Sequence, residues 1–347
     1  MRYQLLGRSG LRVSELCLGT MTFGAAGWGT PEPEAAAMVK RFRDAGGNFF
    51  DTANEIYAGG LSEEILGRLV AGERDQVVIA TKYGLHVPGT NNPNAAGNQR
   101  KSLKRSIESS LKRLGTDYVD LLWTHCWDGV TPADEVMRAL DDLVRQGKVL
   151  HIGVCNTPAW VVSRSNTLAE LRGWTAFAGL QVEYSLLERT AERELLPMAR
   201  ALGLGVAAWS PLASGILSGK YADPGAGDGA RLQKAPMRPL DERSLALARG
   251  VAAVAAELGR PPAQVALNWV RAQAGVLPLL GARTDAQLQD NLACLDFTLE
   301  PETLVRLDAL SAIEPGFPHD YLRRTRALAT AGFDARLDLT SSKGPKQ

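Results

Sequence analysis

The sequence predicts a single (β/α)8 TIM barrel, because short apolar strands and amphipathic helices alternate along nearly the whole chain. Eight apolar stretches can be counted in the 347 residues, seven of them roughly thirty residues apart. Strands that alternate with helices form parallel βαβ units, and eight such units close into a barrel. An open doubly wound sheet is the structural alternative, but its G-x-G-x-x-G turn is missing after the first strand.

The strands are predicted where short apolar runs stop at polar or glycine residues. A Gly/Ser turn within Tyr3–Val13 predicts an N-terminal β-hairpin inside residues 1–15. The predicted barrel strands are Leu16–Leu18, Phe49–Asp51, Val77–Ala80, Val119–Trp123, Val149–Val154, Gly179–Val182, Gly205–Trp209 and Val276–Leu280. Residues 84–98 and 213–239 are rich in Gly and Pro and predict long loops, the second of them after strand 7. Residues 312–347 predict a C-terminal tail whose last residues are disordered.

The helices are predicted from apolar periodicity and from residues typical of helix ends. Pro31 and Gly46 bound the first helix. Ser62 is interpreted as the N-cap of the second, with acids at 63 and 64. Leu103, Ile107 and Leu111 share one face of the third. The predicted helices are Pro31–Ala45, the segment after Ser62, Arg100–Leu114, Pro132–Gln146, Ala159–Leu171, Ala191–Leu202, Glu242–Leu258, Pro262–Gln273, Asp285–Cys294 and Pro301–Leu310.

Composition excludes several classes of function. The net charge is +1, so no basic field favours nucleic acid or an anionic membrane. No apolar run is long enough to span a bilayer, and the first residues lack a signal-peptide core. The four cysteines are scattered without metal-ligand spacing, which predicts reduced, buried thiols and no metal site. We therefore expect one cytoplasmic domain over residues 1–347, as a monomer or weak homo-oligomer.

Four polar side chains follow one another at the ends of consecutive predicted strands. Asp51 ends one strand and Tyr57 lies in the loop after it, while Lys82 and His125 end the next two strands. Parallel barrel strands all end on one face, so these groups can converge there. Taken singly, three of them have ordinary interpretations: Asp51 as a turn-capping acid, Lys82 as an exposed lysine and His125 as a core histidine.

A set of short motifs, in this order, resembles the aldo-keto reductase family. The motifs are Phe50-Asp51-Thr52-Ala53, Tyr57, Gly60, Ser62-Glu63, Thr81-Lys82, His125, Gly153-Val154-Cys155-Asn156, Gln181-Val182-Glu183-Tyr184-Ser185-Leu186, Trp209-Ser210-Pro211-Leu212, Gly281-Ala282-Arg283-Thr284, Gln287 and Asn291. The resemblance covers nearly the whole chain and implies NADPH-dependent reduction of a small-molecule carbonyl substrate. It implies Tyr57 as general acid, Lys82 as the group that lowers the phenol's pKa, Asp51 as its support and His125 as the residue that orients the carbonyl.

The resemblance also implies a set of residues that bind NADPH or NADP+. It places Asn156 and Gln181 on the nicotinamide carboxamide, Trp209 on its ring, and Arg283 and Gln287 on the 2′-phosphate. A guanidinium suits a phosphate because it is a charged, forked donor. The remaining residues implied at the cofactor are Gly19, Thr20, Met21, Asp51, Cys155, Ser210, Pro211, Leu212, Gly215, Lys220, Gly281 and Asn291.

Two departures from the family pattern bear on the site. Tyr57 follows Asp51 by six positions instead of the usual five, so the loop between them carries one extra residue. Cys155 replaces the usual serine and is a weaker hydrogen-bond partner. In addition, Trp28, Trp123 and Trp127 stand in or beside strand-end loops, which predicts an apolar substrate pocket together with Tyr57 and His125; simple rim packing is the alternative.

Two other functions remain open from the sequence. The family includes channel-associated subunits that bind cofactor and act through a partner, so the chain could be a regulatory subunit with little turnover. A barrel enzyme without cofactor could instead use Lys82 as a Schiff-base amine. The presence of all four polar groups favours the reductase.

Overall fold

Eight parallel strands close into a barrel in the computed structural model, which describes residues 1–86, 89–221 and 240–333. The first two strands, β1 (Tyr3–Leu5) and β2 (Arg12–Ser14), form a separate antiparallel hairpin. The barrel strands are β3 (Cys17–Gly19), β4 (Phe49–Asp51), β5 (Val78–Tyr83), β6 (Val119–Thr124), β7 (Val149–Cys155), β8 (Phe177–Glu183), β9 (Gly205–Trp209) and β10 (Val276–Leu280). Strand β10 pairs with both β9 and β3, so the sheet has no open edge. The prediction of a (β/α)8 barrel is confirmed.

Helices connect these strands and cover the outside of the barrel. They are α1 (Glu32–Asp44), α2 (Leu61–Val70), α3 (Arg100–Leu114), α4 (Ala133–Arg145), α5 (Ala159–Arg172), α6 (Leu195–Leu202), α7 (Glu242–Glu257), α8 (Pro262–Arg271), α9 (Asp285–Leu292) and α10 (Pro301–Leu310). Most bounds agree with the predicted helices to within one or two residues. Helix α6 differs, because the predicted start at Ala191 falls in a separate 3₁₀ turn, Thr190–Glu192.

The second helix does not begin at Ser62, so the N-cap prediction is wrong. Gly60, with φ of 100°, is the N-cap of α2, so the helix begins two residues earlier than that prediction requires. Ser62 therefore falls in the first turn and is buried. Its hydroxyl donates to the Thr20 carbonyl at 2.8 Å and contacts the Thr52 hydroxyl at 3.0 Å. Ser62 thus joins the loops that follow β3 and β4.

The hairpin closes the end of the barrel opposite the loops that follow the strands. Leu6 and Val13 are fully buried in one apolar cluster with barrel residues such as Phe49, Leu121 and Trp123. A Cβ at Gly7 would lie 2.5 Å from the Gly203 carbonyl oxygen, so only glycine allows this approach. The open end, where catalytic loops of this fold lie, is the opposite one.

The chain divides into two compact units, Met1–Ser311 and Ala312–Gln347. The second contains a helix that the sequence did not predict, α11 (His319–Ala329), with no buried residue in the described part. The expected disorder of the last residues, and most of the loop expected over 213–239, fall outside the described residues. Within the described ranges, no helix combines the length and apolarity needed to cross a membrane.

Candidate functional site

Asp51, the last residue of β4, lies at the centre of the site. Its Oδ1 accepts a hydrogen bond from Lys82 Nζ, while its Oδ2 accepts from Trp123 Nε1 at 3.0 Å and from Gln181 Nε2 at 2.8 Å. The side chain is only 2 % exposed. Buried charges require paired, hydrogen-bonded surroundings. Three donors from three other strands therefore hold this carboxylate in one position.

Lys82 of β5 is held as a buried cation. Its Nζ also donates to the Thr52 carbonyl at 2.8 Å. Burial alone would lower the pKa of Lys82, but the Asp51 carboxylate and the Tyr57 phenol raise it above its ordinary value. The amine is consequently protonated at neutral pH, which is poor for a Schiff-base nucleophile.

Tyr57 reaches the cleft in spite of the extra residue in its loop. Asn54 organises that loop: its Nδ2 donates to the Leu85 carbonyl at 2.9 Å, and its carbonyl accepts from the Tyr57 N–H at 3.0 Å. The resulting turn accommodates the additional residue. Lys82 Nζ lies 5.3 Å from the centroid of the Tyr57 ring. The phenol therefore sits beside the ammonium.

The pKa of Tyr57 is raised overall, although Lys82 lowers it in the direction that was predicted. Burial disfavours the phenolate, and the Asp51 charge adds to that effect. Lys82 opposes both but does not outweigh them. The phenol consequently keeps its proton throughout the neutral range.

His125 follows β6 and faces Tyr57. The two ring centroids lie 6.2 Å apart with an interplanar angle of 89°. Burial and the nearby Lys82 cation lower the pKa of His125 to about 3. Its Nδ1 is buried without a hydrogen-bond partner among the described residues. The ring is therefore neutral and can donate one N–H.

A cleft of about 500 Å³ opens above these side chains, a size typical of ligand sites. Tyr57 and His125 line it. So do most residues expected at a cofactor: Gly19, Met21, Asp51, Asn156, Gln181, Trp209, Ser210, Pro211, Leu212, Gly215, Lys220, Gly281, Arg283, Gln287 and Asn291. Trp209 Nε1 donates to Asn156 Oδ1 at 3.1 Å, and Asn156 Nδ2 donates to the His125 carbonyl at 2.9 Å.

Two positions in the cleft have the chemistry that a phosphorylated dinucleotide requires. A Cβ at Gly215 would lie 2.7 Å from Lys220 Nζ, so the glycine allows the Lys220 ammonium to lie against the backbone of this loop. Arg283 stands just before α9 and forms no salt bridge with any described residue. The nearby acid Asp285 is paired with Arg41. A cation that lacks a partner at the start of a helix suits a phosphate.

Lys82, which lies beside Tyr57, and five other residues expected at the site lie outside the cleft lining. Thr20 is buried and bonds to Ser62, while Cys155 points into the barrel core. Trp123 was expected in the substrate pocket, and that prediction is wrong. Trp123 and Leu121 lie two positions apart on β6, so both point into the barrel. There the Trp123 indole N–H donates to Asp51. Trp28 and Trp127 do not line the cleft, and Trp127 stacks edge-to-face on Trp160 at 5.8 Å.

Other lining residues were missed from the sequence. They are Thr22, Ile56, Leu85, Ser214, Ser218, Ala263, Leu267, Leu279, Leu280, Ala282 and Asp290. Ala263 and Leu267 lie four positions apart on α8, so helical spacing places them on one face. Asp290 lies three positions after Gln287 on α9, and Ser214 and Ser218 lie in the 3₁₀ turn Ala213–Ser218. The others lie in loops or at strand ends, where spacing carries no such information. In the described ranges, no cluster of residues could hold a metal ion.

Comparison with known proteins places this geometry in a family. The model described as the Aldo/keto reductase family matches residues 15–312. The chain is 40 % identical to norsolorinic acid reductase of Emericella nidulans, over 90 % of this chain and 82 % of the relative. It is 41 % identical to an uncharacterized oxidoreductase of Bacillus subtilis, over 89 % and 95 %. It is 39 % identical to an aryl-alcohol dehydrogenase of Pestalotiopsis microspora, over 92 % and 85 %.

Proposed function

We propose, on the premise that the chain belongs to the aldo/keto reductase family, that this oxidoreductase reduces an aldehyde or ketone to an alcohol with NADPH. The observation that carries the proposal is that a proton donor, a buried ion pair and a neutral hydrogen-bond donor converge at a single cleft. Tyr57, His125 and Asp51 line that cleft, and Lys82, which is paired with Asp51, lies beside the Tyr57 ring.

The proposed mechanism assigns one task to each side chain. Bound NADPH would supply a hydride to the carbonyl carbon. Tyr57 gives its phenolic proton to the carbonyl oxygen as negative charge develops there. Lys82, held by Asp51, stabilises the phenolate that remains. The neutral His125 donates its N–H to the same oxygen and so fixes the carbonyl in the cleft.

The proposed cofactor site extends from Asn156 to Arg283. Asn156 and Gln181 would hold the nicotinamide carboxamide, and Trp209 would stack on the ring. Gln181 can accept through its Oε1, because its Nε2 already donates to Asp51. Lys220 would bind the pyrophosphate, and Arg283 would bind the 2′-phosphate. The proposed selectivity for NADPH over NADH rests on the Arg283 guanidinium, which forms no salt bridge within the described part of the chain.

An aromatic carbonyl is the proposed substrate class. Ile56 and Leu85 give the cleft apolar walls beside Tyr57. Trp127, in the loop after β6, and Trp160, in the first turn of α5, are 36 % and 60 % exposed and pack edge-to-face on each other. Exposed aromatic rings next to a catalytic cleft favour flat apolar ligands. One relative is named as an aryl-alcohol dehydrogenase, which agrees with this class.

The test is NADPH consumption on addition of an aromatic aldehyde, with NADH in a parallel reaction. We expect fast oxidation of NADPH and much slower oxidation of NADH. Arg283→Ala should narrow that difference by weakening the binding of NADPH alone. Equal rates with both cofactors in the wild type would refute the role of Arg283, and no oxidation with any carbonyl would refute the reductase.

A further inference from the structure

The loop that carries Tyr57 is held from the side away from the cleft by a cluster of charges around Glu55. The Glu55 side chain is 15 % exposed. Its Oε1 lies 2.7 Å from His86 Nδ1 and 3.0 Å from Arg105 Nη2, and its Oε2 lies 3.6 Å from Arg113 Nη2. Burial alone would raise the pKa of Glu55, but these partners lower it. An ionised carboxylate is thus enclosed by groups from the loop after β5 and from α3.

Arg113 also connects this cluster, through Glu63, to β5, the strand that carries Lys82. Arg113 Nε donates to Glu63 Oε2 at 2.7 Å, and Glu63 Oε1 accepts from the Thr81 hydroxyl at 2.5 Å. Glu63 is fully buried. Thr81 precedes Lys82 in β5, and Glu55 precedes Tyr57 by two positions. A continuous chain of polar contacts therefore connects the backbone beside Tyr57 with the backbone beside Lys82.

The end of the Tyr57 loop packs on the same arginine. A Cβ at Gly60 would lie 2.6 Å from Arg113 Cδ, so the glycine permits direct contact between loop and side chain. The extra residue of the loop falls between Asp51 and Tyr57, the segment that contains Glu55. A longer loop has more conformations to exclude, because each additional residue adds backbone entropy. A buried, paired carboxylate in that segment can exclude them.

We propose that Glu55 is a positioning residue that fixes the Tyr57 hydroxyl relative to Lys82 through Arg113, Glu63 and Thr81. Glu55 does not line the cleft and has no contact with a reacting atom. The inference rests on the proposed function, because it concerns the proton donor of that reaction. It adds a determinant of turnover that lies in the lengthened loop between Asp51 and Tyr57.

Glu55→Gln tests the inference, since it removes the charge and keeps the shape. We expect kcat to fall by about tenfold to a hundredfold, because a small displacement of an acid costs that much. KM and the dissociation constant of NADPH, from quenching of tryptophan fluorescence, should change by less than about twofold. Glu55→Asp, which keeps the charge, should recover part of kcat.

The matched control is Glu32→Gln, which breaks the exposed ion pair between Glu32 of α1 and Arg68 of α2 and should leave kcat unchanged. Arg105→Gln, at a side chain that is partly exposed, gives a second variant in case Glu55→Gln unfolds; it should lower kcat in the same direction. Equal kcat in Glu55→Gln and Glu32→Gln, or an unchanged kcat in a folded Arg105→Gln, would overturn the inference.

A measurement without turnover separates this inference from the proposed function. The phenol carbon of Tyr57 can be assigned by ¹³C NMR from its loss in Tyr57→Phe. Displacement of the phenol from Lys82 removes an effect that lowers its pKa, so the pKa, already raised in the wild type, should rise further in Glu55→Gln. An unchanged pKa would overturn the inference even if turnover fell. A Tyr57→Phe variant with normal turnover would instead refute the proposed function.

Discussion

Burial keeps two titratable side chains of the cleft, Tyr57 and His125, neutral. Carbonyl reduction needs the neutral form of each. His125 has a pKa of about 3 and so retains an N–H to donate without carrying charge. Tyr57 has a raised pKa and so retains its proton. The charged pair Lys82 and Asp51 lies behind them, 1 % and 2 % exposed. The site therefore presents one acid and one neutral donor to the cleft, supported by a fixed cation.

This arrangement predicts the pH dependence of carbonyl reduction. Because the pKa of Tyr57 is raised, its acid form is present at neutral pH and is lost only as the pH rises above about 10. The profile of kcat/KM should therefore be flat between about pH 5 and 8 and fall in the alkaline range. Steady-state rates across pH, with unchanged NADPH concentration, measure it.

A fall of kcat/KM near pH 6 to 7, the ordinary range for an imidazole, would contradict this account. It would mean that His125 titrates there, although the side chain is buried beside a permanent cation. His125→Gln, which keeps an N–H donor, provides the control, because it should leave the shape of the profile unchanged.

The four polar residues could be predicted from sequence, since each follows an apolar run and strand ends meet on one face. The direction in which the Tyr57 pKa shifts could not be predicted from sequence. Lys82 is visible in the sequence as a neighbour that lowers the pKa, but the burial that outweighs it depends on packing around the loop. The partners of Glu55 were equally invisible, because Arg105 and Arg113 lie about fifty residues further along the chain.

Among the elements, β6 and its neighbours explain how Asp51 is held. Trp123 fits inside the barrel because two glycines on adjacent strands lack side chains. A Cβ at Gly153 would lie 2.3 Å from the Trp123 ring, and one at Gly179 would lie 2.9 Å from it. The indole N–H then reaches Asp51. Alternation along β6 could have predicted this inward direction, whereas proximity to the strand end suggested the cleft.

Gly153→Ala should both destabilise the protein and slow turnover. The added methyl group overlaps the Trp123 ring, and overpacking of this kind costs roughly 1–3 kcal/mol. Displacement of the indole should also weaken the support of Asp51 and lower kcat. Denaturant unfolding and steady-state rates measure the two effects.

Gly72→Ala is the matched control, because nothing lies within 4 Å of a Cβ at that position. Its stability and kcat should remain close to those of the wild type. If Gly153→Ala behaved like Gly72→Ala in both measurements, Trp123 would not be confined as described.

Element boundaries were predictable where caps and periodicity agree. Helix α3 begins and ends where its apolar face predicts, with Gly115 in the left-handed conformation at its end. The start of α2 was predicted wrongly. Ser62 is a typical N-cap residue, whereas the helix is capped by Gly60, whose positive φ is not visible in the sequence. Helix α11 carries no buried residue in the described part, so no apolar face marked it in the sequence.

For the whole molecule, parallel closure of the sheet brings residues that are far apart in sequence into one cleft. Asp51 and Gln181 are 130 positions apart and are hydrogen-bonded. The sequence predicted this convergence because it predicted the barrel. It could not predict that Thr20, Cys155 and three tryptophans would lie outside the cleft lining, because that depends on the orientation of each side chain.

The most direct test of the central claim, that Tyr57 protonates a carbonyl while NADPH reduces it, is transfer of deuterium from NADPH labelled at the reactive position. With an aromatic aldehyde, the wild type should place deuterium on the carbinol carbon of the alcohol. Tyr57→Phe should bind NADPH normally, because the phenol is not assigned to the cofactor, and should transfer almost none. Normal transfer by Tyr57→Phe, or an alcohol without deuterium from the wild type, would contradict the account.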